Sequence, residues 1–526
     1  IIIRVETDIR RGIPGIDITG LAEGAVREAR ERVRASFRNS GFNFPQDRIL
    51  INLAPAGVRK EGASLDLPIA ISVMAAAGMI RIPDNLMVLG ELELSGRLRP
   101  VRGALAAFAA GLKEGIGEFI VPLENLNEAS VLCGVRFFAA ATLAEAAHAL
   151  LVRAETGELP CYGPCYVPDC EPLGHKPENE LGIGAGDFSE VQGQPRYKRA
   201  LEIAAAGGHN LLVFGPPGSG KTMLARRFPS ILPTLEPEEA VEATRLHSLA
   251  GQITDMHSGL IREPPFRSPH HSASVEGILG GGRSVRPGEI TLAHFGTLFL
   301  DEAPEFRTPV LQSLREPLED RIITIVRAEG PQKLPADFQL ILAANSCRCG
   351  RLGACCSGDS SNSLYSVGST DFAESGCFCT NDEIRRYWRK LGSALLDRIE
   401  LRVPVRAPVV VSNGKGEKSA DIRRRVMAAV EIQRERFTGS GVRRNARMLP
   451  GQIEKFCAVS GKAKEALNLA AVKLGLSGRA CHGILKIART IADLEGKTSM
   501  DALHVLEAIQ HRRFGDDPYD VFSADK

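Results

Sequence analysis

The chain has 526 residues, of which 44% are hydrophobic and 24% are charged, and its formal net charge is +2 at pH 7. That length is too great for one hydrophobic core, so several domains are expected. The balance of 65 basic and 63 acidic residues gives no overall nucleic-acid signature, and no apolar run reaches the ~20 residues of a membrane span. The start, IIIRVETDI, lacks the charged region and cleavage site of a signal peptide, which predicts a cytoplasmic protein without a membrane partner. The sequence begins with isoleucine rather than methionine, which leaves its natural N-terminus open.

Residues 1–154 alternate short β-like runs with alanine-rich helical runs, which predicts an α+β domain. The β-like runs are 49–53, 119–121 and 135–139, and the helical runs are 69–77 and 104–112. Residues 155–186 are rich in proline, glycine and cysteine, and this composition predicts a linker.

The string GPPGSGKT satisfies the pattern G-x-x-x-x-G-K-[ST] at every fixed position, after an apolar run and before a helix-forming stretch. Its glycines allow backbone N–H groups to turn toward phosphates, and Lys221 can reach the β- and γ-phosphates. The Thr222 hydroxyl can hold Mg²⁺ at a helix N-terminus. The predicted nucleotide-binding residues are therefore Gly215, Pro216, Pro217, Gly218, Ser219, Gly220, Lys221 and Thr222.

A second nucleotide-binding signature, LFLDE, lies about 80 residues further along the chain. Three apolar residues of a buried strand end in two carboxylates, which places Asp301 and Glu302 at the carboxyl edge of a parallel sheet, where ligands of such folds bind. Asp301 would support the Mg²⁺, and Glu302 would polarise the attacking water.

The two signatures lie in a block that alternates helical and strand-like runs, residues 187–406, which predicts a doubly wound parallel sheet. Helical runs follow in residues 407–526 and predict a lid. They are 420–436, 452–458, 463–474, 478–495 and 502–509. The chain is therefore predicted to be a multidomain α/β protein, and a helical lid after such a core indicates an oligomeric motor of the AAA+ kind.

Several long strings resemble the ComM/YifB family, the Mg-chelatase-like AAA+ proteins, over essentially the whole chain. They are RGIPGIDITGLAEGAVREARERVRASFRNSGF, DLPIA, GQPRYKRALEIAAAGGHNLLVFGPPGSGKTMLARR, FRSPHH, RPGEITLAHFGTLFLDEAPEF and LLDRIEL. The resemblance implies an AAA+ ATPase core in residues 187–406 with a cysteine-rich insert at 347–379.

The resemblance also implies roles for single residues. Asn345, at the end of LILAAN, resembles the sensor-1 residue near the γ-phosphate, and Gln194 sits where these families contact the nucleotide base. Arg398 in LLDRIEL resembles an arginine finger, and Arg479 in LSGRA resembles the sensor-2 arginine, with Arg489 as a weaker second choice. Because an arginine finger reaches into the neighbouring subunit's nucleotide, a ring is implied, with a hexamer as the expected form.

Six of the twelve cysteines lie between positions 347 and 379. In a chain without an export signal such clustering favours metal ligation over disulfides. Two C-x-C pairs supply the four thiolates of a structural Zn²⁺: Cys347, Cys349, Cys377 and Cys379. Cys355 and Cys356 could replace one pair, which leaves the ligand set open. Cys161, Cys165, Cys170 and His175 form a weaker second candidate, by count alone.

Residues 262–290 show no simple periodicity and include the adjacent His270 and His271. The pair could bind a metal, but adjacent side chains diverge and no carboxylate cluster flanks them, so a mobile pore loop is the favoured interpretation. The later stretch RIITIVRAEGPQKLP predicts a hairpin, which in related helicases touches DNA in the pore. Its candidate contacts are Arg327 and Lys333.

In the first domain, KEGASLDLPIA resembles the segment of Lon proteases that carries the nucleophile, and Ser64 takes that position. The resemblance implies a Lon-like fold of the ribosomal protein S5 domain 2 kind. The position aligned with the Lon lysine is Leu105, so Ser64 has no evident base. Arg102 lies nearby in sequence, but a guanidinium is not a base at neutral pH. The domain is therefore expected to be non-proteolytic.

The leading interpretation is an ATP-driven motor acting on single-stranded or branched DNA, a hexameric helicase or branch-migration factor in recombination or natural transformation, as the resemblance implies. A chelatase-like ATPase that remodels a protein or tetrapyrrole partner is the alternative, and an ATP-dependent protease is a third. The expected cofactors are ATP and Mg²⁺, with Zn²⁺ at the cysteines. Local basic stretches at 27–38, 385–390, 423–425 and 443–447 are each more typical of a solvated helix face than of a binding site.

Overall fold

The computed structural model describes residues 2–20, 24–56, 60, 63–129, 135–160, 186–252, 260–282, 286–327, 330–352, 377–406 and 416–512. The chain divides into two compact units, Ile1–Glu178 with Pro237–Ile261, and Asn179–Glu236 with Arg262–Lys526. Within the described ranges, no helix combines the length and the apolar character that a membrane crossing requires.

The elements before residue 160 are β1 Arg4–Arg10, β2 Gly15–Thr19, α1 Gly24–Asn39, β3 Arg48–Ala54, α2 Asp66–Ala76, β4 Leu86–Val88, β5 Glu91–Leu92, β6 Leu98–Arg99, α3 Ala104–Lys113, β7 Glu118–Pro122, α4 Leu126–Ala129, β8 Arg136–Ala140 and α5 Leu143–Thr156. Those up to residue 300 are α6 Pro195–Gly207, β9 Leu211–Gly215, α7 Lys221–Arg227, α8 Pro237–Ala250, β10 Phe266–Arg267, α9 Val275–Leu279, β11 Gly280–Gly281, β12 Arg286–Pro287, α10 Glu289–Leu292 and β13 Thr297–Leu300. The remainder are α11 Thr308–Ser313, α12 Arg315–Asp320, β14 Ile322–Arg327, β15 Gly330–Pro335, β16 Gln339–Asn345, α13 Asn381–Arg389, α14 Ser393–Leu396, β17 Leu401–Pro404, α15 Ser419–Phe437, α16 Pro450–Phe456, α17 Gly461–Leu474, α18 Gly478–Leu494 and α19 Ala502–Arg512.

The first unit contains two three-stranded sheets. In one, β3 lies between β1, which runs antiparallel to it, and β2, which runs parallel. The other is parallel, in the order β4-β7-β8. The predicted runs fall in β3, β7, β8, α2 and α3, so a mixed α and β content is observed here.

Helix α8 belongs to the first unit, although it follows the phosphate loop in sequence. Its buried face includes Ala243 and Leu246. The Ser248 hydroxyl donates to a Glu128 carboxylate oxygen at 2.5 Å, and the Ser248 carbonyl accepts from the Gly103 N–H at 3.2 Å. The prediction of one uninterrupted block over residues 187–406 therefore differs from the structure, because the burial of this helix depends on residues more than a hundred positions away.

The second unit is built on a five-stranded sheet in the order β10-β13-β16-β9-β17, and every adjacent pair is parallel. Alternate residues of β9 enter the cores on its two faces: Leu211 and Val213 join one, and Leu212 and Phe214 join the other. A parallel sheet buried on both faces is the predicted doubly wound arrangement.

The C-terminal residues are helical as predicted, and α15 and α18 pack against α6 in the core beneath the sheet. A buried carboxylate holds this region together. Asp493 pairs with Arg436, with Arg489 at 2.9 Å, and with the side-chain amide of Asn445 at 2.8 Å. The single buried carboxylate therefore has two cationic partners and one amide donor, so its charge is compensated, as burial requires.

The range 262–290, predicted as an irregular pore loop, contains the short elements β10, α9, β11, β12 and the start of α10. Each has five residues or fewer, too few for a periodic pattern to show in sequence. The predicted hairpin is confirmed: β14 and β15 pair antiparallel, with Thr324 opposite Lys333.

Candidate nucleotide-binding site

The phosphate loop connects the end of β9 to the start of α7, and its lysine is buried inside it. The Lys221 ammonium donates to the carbonyls of Gly215 at 2.8 Å and Pro216 at 2.7 Å. Only 7% of the residue is exposed, and burial lowers its pKa to about 8 against the opposing effect of Asp301 and Glu302. The loop thus surrounds a buried cation, which suits a polyphosphate.

Two glycines give the loop its curvature. Gly218 and Gly220 have φ of 74° and 83°, in the left-handed region that other residues rarely adopt. A Cβ at either position would meet no atom within 4 Å, so open space lies beside the backbone there. Positive φ, open space and a buried lysine together fit a triphosphate that approaches the main chain.

The two predicted Mg²⁺ ligands are in contact. The Thr222 hydroxyl donates to a carboxylate oxygen of Asp301 at 2.8 Å, although these residues belong to different elements. Hard oxygen donors of this kind suit Mg²⁺. A Mg²⁺ held there would neutralise phosphate charge. The next residue, Glu302, has a left-handed backbone with φ of 50°, and its side chain is 54% exposed. A strained residue at a sheet edge is typical of a functional site.

Asn345 ends β16, the strand between β13 and β9, and stands in register with Gly215. It therefore shares the carboxyl edge of the sheet with the phosphate loop and the two acidic residues, as predicted. Two residues that sequence reasoning missed support this strand end. The Tyr387 hydroxyl hydrogen-bonds to the Asn345 backbone, and the Trp388 indole donates to the Ser346 carbonyl at 3.0 Å.

Two residues near the start of α6 flank the loop: Gln194, which caps the helix, and Tyr197, which the sequence did not predict. The Gln194 amide donates to the carbonyl of Ser219 at 3.1 Å and to that of Arg406 at 2.7 Å. The buried Tyr197 hydroxyl donates to the Lys221 carbonyl at 3.2 Å. Its burial raises the pKa of the phenol, so it remains a donor. A single Tyr in a helix pattern gives no sequence signal for this role.

The predicted arginine finger, Arg398, and the predicted sensor-2 arginine, Arg479, lie together, near the amino ends of the sheet's strands. Arg398 and Arg479 both pair with the carboxylate of Glu319. The Arg398 carbonyl accepts from the side chain of Asn210, the residue before β9, at 3.0 Å. Asn210 lies five residue steps before Gly215, the first residue of the loop, and at about 3.3 Å per step this is roughly 16 Å. The arginines therefore do not join the phosphate loop of their own chain.

Arg489, the weaker candidate for the sensor-2 role, is 3% exposed. Its guanidinium donates to Asp493 and to the carbonyls of Lys497 and Thr498. It acts as a structural group of the C-terminal helices.

Comparisons with known proteins show where this arrangement belongs. Three family descriptions match the chain: "Subunit ChlI of Mg-chelatase" over residues 5–125, "Magnesium chelatase, subunit ChlI" over 187–411, and "Magnesium chelatase, subunit ChlI C-terminal" over 416–512. The chain is 39% identical over 516 residues to "Uncharacterized protein YifB" of Salmonella typhimurium, covering 97% of this chain and 94% of that protein. It is 37% identical over 517 residues to "Competence protein ComM" of Haemophilus influenzae, with the same coverage.

The chain belongs to the Mg-chelatase-like ComM/YifB family. A weaker similarity, at 27% identity over 141 residues, links part of the chain to "Lon protease 2" of Bacillus subtilis, and it covers 27% of this chain and 25% of that protein.

In this ComM/YifB chain the position predicted to align with the Lon lysine holds no amine. Leu105 is fully buried, and its N–H donates to Glu128 at 3.2 Å. The amine nearest to Ser64 in sequence is that of Lys60, which donates to the carbonyls of Gly20, at 2.8 Å, and Pro55. These contacts satisfy the Lys60 ammonium with main-chain acceptors.

Two adjacent histidines stand beside the acidic residues. The Nδ1 atom of His271 is 3.9 Å from a Glu302 carboxylate oxygen, and its ring centroid is 4.0 Å from that of His270. In the described part of the chain, neither histidine belongs to a group of possible metal ligands. His271 is therefore a neighbour of the Glu302 carboxylate.

The four predicted zinc ligands converge. The sulfur atoms of Cys347, Cys349, Cys377 and Cys379 all lie within 4.8 Å of one another. The sulfur atoms of Cys347, Cys349 and Cys377 are 3.3, 3.5 and 3.7 Å apart, close to the ~3.8 Å between sulfurs 2.3 Å from a tetrahedral Zn²⁺. Burial raises the pKa of Cys347 to about 11. For Cys349 burial acts the same way, but hydrogen bonds from the Arg351 backbone and neighbouring thiols lower the pKa to about 6. The other candidate ligands, Cys355, Cys356, Cys161, Cys165, Cys170 and His175, lie outside the described residues.

Proposed function

We propose that the chain is an ATP-hydrolysing AAA+ motor that works as a ring, expected to be a hexamer, and acts on single-stranded or branched DNA as a helicase or branch-migration factor. The observation that carries the proposal is the separation of two half-sites. The carboxyl ends of the strands hold the phosphate loop and the acidic residues, and the amino ends hold Arg398 and Arg479. Two such ends from adjacent copies complete one site.

Each residue then has a role in hydrolysis. The loop and Lys221 bind the phosphates, and Glu302 accepts a proton from the attacking water. Asn345 orients that water, and Gln194 lies beside the base. Arg398 of the next copy neutralises the charge that develops on the transferred phosphoryl group. Thr222 and Asp301 would hold the Mg²⁺.

The support for DNA as the substrate is a relative named as a competence protein, together with exposed basic elements in the second unit. Lys333 is exposed on the β14-β15 hairpin, where we propose a DNA contact. Arg327 ends strand β14, opposite Gly330, and is the second proposed contact.

A chelatase-like ATPase that remodels a protein or tetrapyrrole partner is the second candidate, because the matching family descriptions are those of magnesium chelatase. A protease is disfavoured, since Leu105 replaces the base. We further propose that residues 1–154 form a non-proteolytic Lon-like domain of the ribosomal protein S5 domain 2 kind, and that the four cysteines hold a structural Zn²⁺.

The deciding experiment measures steady-state ATPase activity with single-stranded, duplex and forked DNA over a salt series. A DNA motor is expected to be stimulated most at low salt, because phosphate contacts are strongest there. The Lys221→Ala variant is the control for contaminating ATPase. Activity that DNA leaves unchanged at every salt concentration, with no DNA binding, would contradict the DNA proposal and favour the remodelling ATPase.

A further inference from the structure

Helix α13 has one buried face and one basic face. Ile384, Tyr387 and Trp388 are buried, whereas Arg386 and Arg389 are exposed. The helix begins immediately after the cysteine cluster, and its first turn is fixed by a capping box in which the Thr380 hydroxyl accepts from the Glu383 N–H at 3.3 Å. The basic face is therefore held in a defined position relative to the four thiols.

The cysteine cluster adds more positive charge and an aromatic ring. Arg348 and Arg351 are exposed, and Phe378, between two of the cysteines, is 81% exposed. The Arg351 guanidinium lies 5.5 Å from the centroid of the Phe378 ring. Cys379 directly precedes Thr380, the residue that caps α13, so the cluster leads straight into the helix.

The charge of this surface departs from that of the whole chain. Ranges 346–352 and 377–390 hold six basic and two acidic residues, whereas the chain as a whole is nearly balanced. Lys390 is 4.0 Å from Glu305, but the arginines extend over the exposed side of the helix. Clustered guanidinium groups suit phosphate, which they can bind through two parallel hydrogen bonds.

We propose that this surface, formed by Arg348, Arg351, Phe378 and the exposed arginines of α13, binds single-stranded DNA. The arginines contact the phosphates, and Phe378 stacks on an unpaired base, backed by Arg351. A duplex does not offer an unstacked base, which favours the single strand. The inference rests on the proposed DNA motor and assigns a binding surface to it.

The buried face of the same helix connects this surface to the nucleotide site. Tyr387 and Trp388 contact the backbone of residues 345 and 346, at the end of β16, and Cys347 follows directly. The Trp388 ring also packs edge-on against Phe214 of β9 at 5.2 Å. If DNA binding shifts α13, the backbone at Asn345 would therefore move with it. DNA binding would then change the rate of ATP hydrolysis.

The binding test uses fluorescence anisotropy with a labelled oligo-dT and the full-length protein. Phe378→Ala is expected to weaken binding roughly 5- to 150-fold, the range of one lost stacking contact. Arg386→Glu is expected to reduce the slope of log Kd against log salt by about 0.7 or more, as one phosphate contact is lost. The matched control is Arg424→Glu, which makes the same charge change at an exposed position of α15 and leaves affinity unchanged. Unchanged thermal unfolding and zinc content verify that the variants are folded.

The outcomes separate the two proposals. If the wild-type protein does not bind oligo-dT, the DNA motor itself fails. If it binds and both surface variants bind equally well, the motor stands and this surface is overturned. An equal loss of affinity for duplex DNA in Phe378→Ala would overturn the stacking role.

Tyr387→Phe tests the connection to the nucleotide site, because it removes only the hydroxyl that contacts the Asn345 backbone. It is expected to keep the affinity for oligo-dT and to lose stimulation of ATPase activity by DNA. Stimulation equal to that of the wild type would refute the connection.

Discussion

A mixing experiment tests the shared site most directly. Lys221→Ala removes the phosphate-binding amine, which is buried in the loop at 2.7–2.8 Å from two carbonyls, but leaves Arg398 intact. Arg398→Ala does the reverse. Alone, each variant is expected to lose ATPase activity, and the loss in Arg398→Ala should be about 10³-fold or more. Because roughly 16 Å of strand separates Arg398 from its own loop, we expect its effect to fall on the neighbouring copy of the proposed ring.

An equal mixture of the two variants should regain activity, since a ring then contains Arg398→Ala subunits whose neighbour supplies an intact arginine. Half of the subunits keep a working loop and half of their neighbours keep the arginine, so about a quarter of the sites are complete, and about a quarter of wild-type activity is expected. The assay is steady-state ATPase after co-refolding or subunit exchange, with each variant mixed with itself as control. A mixture no more active than its components would refute the shared site.

Three further predictions follow from the site and the cysteines. Glu302→Gln should keep ATP affinity and abolish turnover, as measured by nucleotide binding and phosphate release; turnover above a tenth of wild type would exclude Glu302 as the base. The Kd for ATP should rise about tenfold per pH unit above pH ~8, because Lys221 loses its proton there in the nucleotide-free protein, whereas bound phosphate keeps the lysine protonated in the complex. A Kd measured by calorimetry that stays constant between pH 8 and 9.5 would contradict this. Metal analysis should find one zinc per chain, and this zinc should be lost in Cys349→Ser. The control is Cys481→Ser, which should retain the zinc because Cys481 lies outside the cluster. Equal zinc content in both variants would refute the four-thiol site.

The sequence predicted the elements that carry local signals. The glycine loop, the acidic strand and the C-x-C pairs each follow from residue types at short spacing, and β9, β13 and β16 lie where apolar runs indicated them. What it did not predict depends on contacts between distant segments. A lone tyrosine or tryptophan gives no sign that its partner is a backbone group some 40 residues away, as the Trp388 indole finds at Ser346.

The joint position of Arg398 and Arg479 is a second example. Each motif suggested an arginine directed at a nucleotide, but only the fold shows that one carboxylate, Glu319, holds both. The carboxylate offsets the repulsion between the two guanidinium groups. Nothing in the local sequence around Glu319 marks it, because a glutamate on a short exposed helix is common.

The position of helix α8 limits how this protein can be cut into fragments or recombined with other proteins. The chain leaves the second unit after residue 236, contributes a helix to the first unit, and returns at residue 262. Three covalent crossings therefore link the two units, rather than the single linker of a fusion protein. A fragment made by removing residues 1–178 would keep α8 without the partner for its buried alanines and leucine. Neither unit is an interchangeable module, and recombination at the domain boundary would separate a helix from the surface it completes.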